Sequence, residues 1–120
     1  MRKARVLCVD DSPLILTVLQ LLLESSGYVV VPAERGEAAL ASMREPFDAA
    51  ILDYELPDTN GIRLAKRLRN LQPDLPVILF SGREDIPTDE THEINAVVSK
   101  TDSAFRVLAV LTCLMPNAVA

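Results

Sequence analysis

The chain has 120 residues, 49% of them hydrophobic and 24% charged, which is enough to bury one core without disulfides or a structural metal. Seventeen acids against twelve lysines and arginines give a formal net charge of −5, which argues against direct nucleic-acid binding and points to proteins or cations as partners. Cys8 and Cys113 follow no zinc or redox spacing, suit a reducing compartment, and both read as small core hydrophobes.

The first element is a buried strand over Arg5–Val9, and its apolar run stops at Asp10-Asp11 after four residues. That is too short for a signal peptide behind Met1-Arg-Lys-Ala-Arg5, so a cytoplasmic location is expected. Ser12 followed by Pro13 predicts a capped helix running to Ser25 and closed by Gly27. Leu14 to Leu23 is the most apolar decade, yet it is half a bilayer span and contains Thr17 and Gln20, so no membrane anchor is expected. Ile15, Val18, Leu19 and Leu22 form one helical stripe and are assigned to the core, while Leu14 and Leu21 fall on a second face beside Thr17. That second stripe is either extra packing or a docking surface for a partner helix.

Tyr28–Val31 reads as a short strand and Glu34–Arg44 as a helix ending before Pro46. Ala49–Leu52 is a continuous apolar run, the mark of a strand covered on both faces, and it ends at Asp53. By itself Asp53 could be an ordinary turn or cap residue ahead of Leu56-Pro57 and Asn60-Gly61. Thr59 or Asn60 caps a third helix to about Asn70, with Ile62, Leu64, Ala65, Leu68 and Leu71 apolar and Arg63, Lys66, Arg67 and Arg69 facing solvent. Val77–Phe80 is the next buried strand and ends in Ser81-Gly82. Arg83 to Glu93 offers an interior proline, Pro87, and almost no apolar stripe, so the fourth helix is expected to be short or irregular, with His92 exposed and idle. Asn95–Ser99 supplies a last strand with Lys100 at its end, and Ser103–Met115 a final helix stopped by Pro116.

The alternation predicts an α/β fold with a doubly wound parallel sheet and right-handed crossovers. In such a sheet functional groups collect at the carboxyl ends of the strands, where this chain places Asp10, Asp11, Asp53, Ser81 and Lys100. Three carboxylates in one pocket need a cation, because two unit charges 4 Å apart repel by roughly 4 kcal/mol at an effective dielectric of about 20. All-oxygen ligation without His or Cys selects a hard ion, Mg2+ first, with Mn2+ tolerated and Ca2+ possible. Together with Lys100 such a site is near neutral and suited to a phosphoryl group.

These motifs resemble the receiver domain of two-component response regulators, with matching order and near-matching spacing over essentially the whole chain. The resemblance implies a flavodoxin-like five-stranded sheet of order 2-1-3-4-5, forming a single domain over residues 1–120. It implies that Asp53 takes a phosphoryl group from a phosphohistidine. Asp10, Asp11, Asp53 and the Glu55 backbone carbonyl would hold Mg2+, while Ser81 and Lys100 would contact phosphoryl oxygens. The partner would be a sensor histidine kinase or phosphotransfer protein docking on the first helix through Leu14 and Leu21. The chain would catalyse only its own phosphorylation and dephosphorylation, and with no linker or DNA-binding module after the last helix it would signal through protein contacts, unless it is a fragment of a hybrid kinase.

Three departures fall on the face that receivers use for output. Val97 stands where the family usually has Tyr or Phe, Lys100-Thr101 replaces Lys-Pro, so that the bond is either trans or strained, and only eighteen residues separate Ser81 from Lys100. Glu55 and Arg83, each two residues beyond a site residue, suggest a charge pair across the mouth that shields an acyl phosphate from water. Two other readings are a phosphorylation-independent scaffold, favoured by the altered output face, and an aspartyl-phosphate phosphatase, which would want Asp-x-Asp rather than adjacent acids after the first strand.

Overall fold

The computed structural model describes residues 3–83, 85, 86, 89 and 93–115. The element order is β1 (Arg5–Val9), α1 (Pro13–Ser25), β2 (Val29–Ala33), α2 (Gly36–Ala41), β3 (Ala49–Leu52), α3 (Gly61–Leu71), β4 (Val77–Ser81), β5 (Ala96–Ser99) and α4 (Ala104–Leu114). The five strands are all parallel, in the order β2-β1-β3-β4-β5. The first crossover leaves β1 on one side and the next returns on the other, so the switch point lies between β1 and β3.

Strand alternation divides the core in two. Val6, Cys8, Ala49, Ile51, Ile78 and Phe80 pack with Leu16, Leu19 and Leu23 of α1 and Val107 and Leu111 of α4. Leu7, Val9, Ala50, Leu52, Val77 and Leu79 face the other way, onto Ala39 of α2 and Ile62, Leu64, Ala65 and Leu68 of α3. The central strands β3 and β4 are therefore buried along their whole length, as their unbroken apolar runs require.

Several expectations are corrected. The inward stripe of α1 is Leu16, Leu19 and Leu23, and Val18 is exposed, leaving Leu14, Val18 and Leu21 as an outward apolar face. Nearly every position from 14 to 23 is apolar, so composition does not phase the helix. Strand β2 continues through Pro32, which an edge strand tolerates because the proline's missing N–H is not needed by an inner neighbour. Cys113 is exposed rather than in the core, whereas Cys8 is buried and its thiol is pushed up to about 12 by that burial and by the charge of Asp10. Arg69 turns back from solvent, donating to the carbonyls of Leu75 (3.0 Å) and Glu93 and to Asn95 Oδ1 (2.7 Å). Leu71 is exposed.

Among the described residues there is no helix between β4 and β5, and four helices are found. Pro87 and His92 lie outside the described residues. No described helix is long and apolar enough to cross a membrane. Among the described residues there is no cis peptide bond, so Lys100–Thr101 is trans.

Candidate functional site

The register of the sheet delivers the polar residues to one edge. Val9 pairs with Leu52, and Ser81 with Ser99. One residue further along, the Asp53 N–H donates to Val9 O (2.9 Å), the Asp10 N–H to Ala33 O (3.0 Å) and the Lys100 N–H to Ser81 O (2.9 Å). The ladder thus continues just past the strands and holds each backbone while its side chain leaves the sheet.

Asp10 and Asp53 are buried, and Lys100 reaches between them. Its Nζ lies 2.7 Å from Asp10 Oδ2 and 3.0 Å from Asp53 Oδ2. The other oxygen of Asp10 accepts the Ser12 N–H at 2.9 Å, which ties the acid to the start of α1, where Ser12 Oγ caps the Ile15 N–H. Burial pushes the Asp53 carboxyl above its ordinary range and the charge of Asp10 adds to the rise, outweighing the hydrogen bond and charge of Lys100. For Lys100, burial works against the charge, but its hydrogen bonds to Asp10 and Asp53 and their charges outweigh it, so its pKa stands above the usual lysine value.

Asp10, Asp11 and Asp53 each offer an oxygen, all within 4.8 Å of one another. Against these three negative charges Lys100 supplies one positive charge. The remaining deficit and the all-oxygen donor set fit a hard divalent cation. A cleft of about 440 Å³ opens beside the cluster, lined by Asp11, Asp53, Glu55, Ser81, Gly82, Arg83 and Lys100. Ser81 is buried, and its Oγ accepts the Arg83 N–H at 3.1 Å, which leaves the hydroxyl proton to donate elsewhere.

The model of the response regulator receiver domain matches residues 6–109 of this chain. The chain belongs to that family. Among relatives of the receiver, the transcriptional regulatory protein GlrR of Escherichia coli is 38% identical over 87 residues, 72% of this chain and 20% of that protein. The sensor protein TorS of Escherichia coli is 36% identical over 104 residues, 85% of this chain and 10% of that protein. The receiver therefore spans a fifth or less of the length of these two relatives. The response regulator TrrA of Thermotoga maritima, solved in complex with Mg2+-BeF, matches with a TM-score of 0.85 at 29% identity, covering 92% of this chain and 98% of that one.

The receiver's cleft also holds groups that sequence reasoning did not find. Arg83 does meet Glu55, at 3.1 Å, but it is gripped more closely by Asp85, at 2.6 Å, and its guanidinium lies 5.2 Å from the centre of the Tyr54 ring. Asp85 stands two residues from Arg83 in a stretch whose composition marks it only as polar. Next to the acceptor's backbone, Gly61 opens α3 against the Asp53 main chain, where a Cβ would lie 2.4 Å from the Asp53 carbonyl oxygen and 2.6 Å from Leu79 Cδ1. Asn60 Oδ1 caps this helix by accepting the Arg63 N–H at 2.9 Å. Val97, at the position of the family's aromatic, is 52% exposed.

Proposed function

We propose that this receiver takes a phosphoryl group from the phosphohistidine of a sensor kinase or phosphotransfer protein onto Asp53. The observation that carries the reading is Lys100 Nζ placed 2.7 Å from Asp10 and 3.0 Å from Asp53, with a third carboxylate, Asp11, in the same cluster. A half-buried lysine shared by two buried acids beside an open cleft is a group held ready for a second anion.

In this reading an Asp53 carboxylate oxygen attacks phosphorus, the P–N bond breaks and the imidazole leaves with its electron pair, giving an acyl phosphate. Asp10, Asp11, Asp53 and the Glu55 backbone carbonyl would hold Mg2+, with Mn2+ as a substitute. When bound, the ion supplies positive charge that neutralises the acids and the incoming phosphoryl oxygens. Lys100 pairs with one phosphoryl oxygen, releasing Asp53 as it does so, and the Ser81 hydroxyl donates to another. The domain works on itself alone, forming and hydrolysing its own acyl phosphate.

The outward face of α1, with Leu14 and Leu21 exposed by 71% and 67% and Val18 between them, is the surface on which the donor's helices dock. Residues 1–120 act as one receiver module in the cytoplasm and signal by protein contact. The test is incubation with a small acyl-phosphate donor and Mg2+, followed by mass measurement of the wild type and Asp53→Asn. A phosphate-sized gain is expected in the wild type alone, and its persistence in the variant would rule out Asp53 as the acceptor.

A further inference from the structure

The turn between β3 and α3 brings Glu55 to the cleft wall, and it is closed upon itself. Leu56 N–H donates to Thr59 O (3.1 Å), Gly61 N–H donates to Tyr54 O (2.8 Å), and Glu55 and Asn60 form an antiparallel bridge. These bonds shape the turn, and Tyr54 and Leu56 pack its base against the core, which leaves the direction of its tip at Asp58 and Thr59 to contacts outside the turn.

Two contacts at the tip set that direction. Asp58 Oδ1 accepts the Gly36 N–H at 2.8 Å and Oδ2 accepts the Glu37 N–H at 2.9 Å. Helix α2 has Arg35 at its N-cap, which makes no side-chain cap bond and instead lies 3.6 Å from Asp58. The helix thus takes its capping carboxylate from another element, where it also meets the positive end of the peptide dipoles. Independently, Thr59 lies so near Gly36 that a Cβ there would be 2.6 Å from its methyl group. The glycine and the carboxylate are two separate signs that the tip is seated on α2.

We propose that Asp58 is a positioning residue for the phosphoacceptor cleft: its bonds to the Gly36 and Glu37 N–H groups hold the β3–α3 turn at the orientation that keeps Glu55 on the cleft wall. Asp58 does not line the cleft and acts through Glu55. The inference rests on the reading of the cleft as a Mg2+-dependent phosphoacceptor site.

The test compares the whole chain with D58A, D58N and G36A, using metal-free amide exchange at Leu56 and Gly61 against Leu79, and calorimetric titration with Mg2+. In D58A the two turn amides exchange faster while Leu79 changes less, and Mg2+ affinity falls by about threefold or more, the size of an indirect coupling carried through a packed turn. D58N keeps an acceptor oxygen and recovers part of both effects. G36A removes no acceptor yet moves both readouts in the direction of D58A. Equal acceleration of all three amides, with Mg2+ affinity within about twofold of the wild type, would overturn the proposal and leave Asp58 a stability residue only. Should D58A fail to fold, D58N and G36A decide by the same readouts, and wild-type values in both overturn it. A wild type that binds no Mg2+ refutes the phosphoacceptor reading instead, and the exchange data then still decide whether Asp58 holds the turn.

Discussion

Arg83 Nη1 lies 3.1 Å from Glu55 Oε1, joining the segment after β4 to the turn after β3 across the mouth of the cleft. Both side chains are well exposed and Asp85 competes for the same guanidinium, so the pair adds little to stability. The role we propose for it is steric and electrostatic control of water at the cleft. Glu55→Gln with Arg83→Gln should leave the urea midpoint unchanged and shorten the acyl-phosphate half-life by about three- to fivefold, the size set by one ordinary surface pair. An unchanged half-life would remove the shielding role.

Lys100 is the counter-charge for two acids with side chains exposed by only 3% and 9%. Lys100→Met should lower metal-free stability by about 1–3 kcal/mol, less than the fully buried limit because Lys100 is itself partly exposed. Added Mg2+ should return more stability to the variant than to the wild type. Denaturant titrations with and without the ion check this, and a deficit that persists at saturating Mg2+ would contradict it.

Gly61 has no room for a side chain. Gly61→Ala drives a methyl group into the Asp53 carbonyl and Leu79, which should cost about 1–3 kcal/mol and slow phosphorylation by shifting the acceptor's backbone. Equilibrium unfolding and the rate with an acyl-phosphate donor report the two effects. Wild-type behaviour in both would show that the helix start yields freely.

The Asp58 carboxyl is held below its usual range, first by the Gly36 N–H and then by the Glu37 N–H. A depressed carboxyl pKa contributes stability that is present above its unfolded value of 3.8 and lost as pH falls through the lower folded value. The stability gap between the wild type and Asp58→Asn should therefore be constant near neutrality and shrink below pH about 4. Urea midpoints across that range measure it, and a gap that widens in acid would reverse the assigned sign.

On α1, Leu14→Asp and Leu21→Asp lie on the solvent face and should change stability by no more than about 0.5 kcal/mol. Phosphorylation from a small donor should be unaffected, while transfer from a phosphohistidine protein should weaken about tenfold or more. Parallel assays with the two donors separate docking from chemistry. Equal transfer from both donors would place the partner surface elsewhere.

Much of this was legible in the chain because the signals are local. An apolar run that stops at an acid marks the end of a buried strand, so β1 and β3 have the expected bounds and Asp10 and Asp53 follow them. Ser12-Pro13 and Gly27 likewise delimit α1, and Gly27 takes the positive φ of 96° that a side chain would resist. The inward phase of α1 was not legible, since a helix apolar on nearly all sides is oriented only by what it packs against. Cys113 and Arg69 were misjudged for the same reason: burial at a helix edge depends on the neighbouring element.

By itself the sequence determined where β1, β3 and β5 end, and hence which chemical groups follow them at the carboxyl edge of the sheet. Only the tertiary structure decided how they pair. Lys100 bridges Asp10 and Asp53 because parallel register aligns three strand ends within a hydrogen bond's reach, and Asp58 caps α2 because the β3–α3 turn folds across onto it. Hydrogen bonds and charges between residues far apart in the chain act over a few ångströms, so they exist only once packing has brought the elements together.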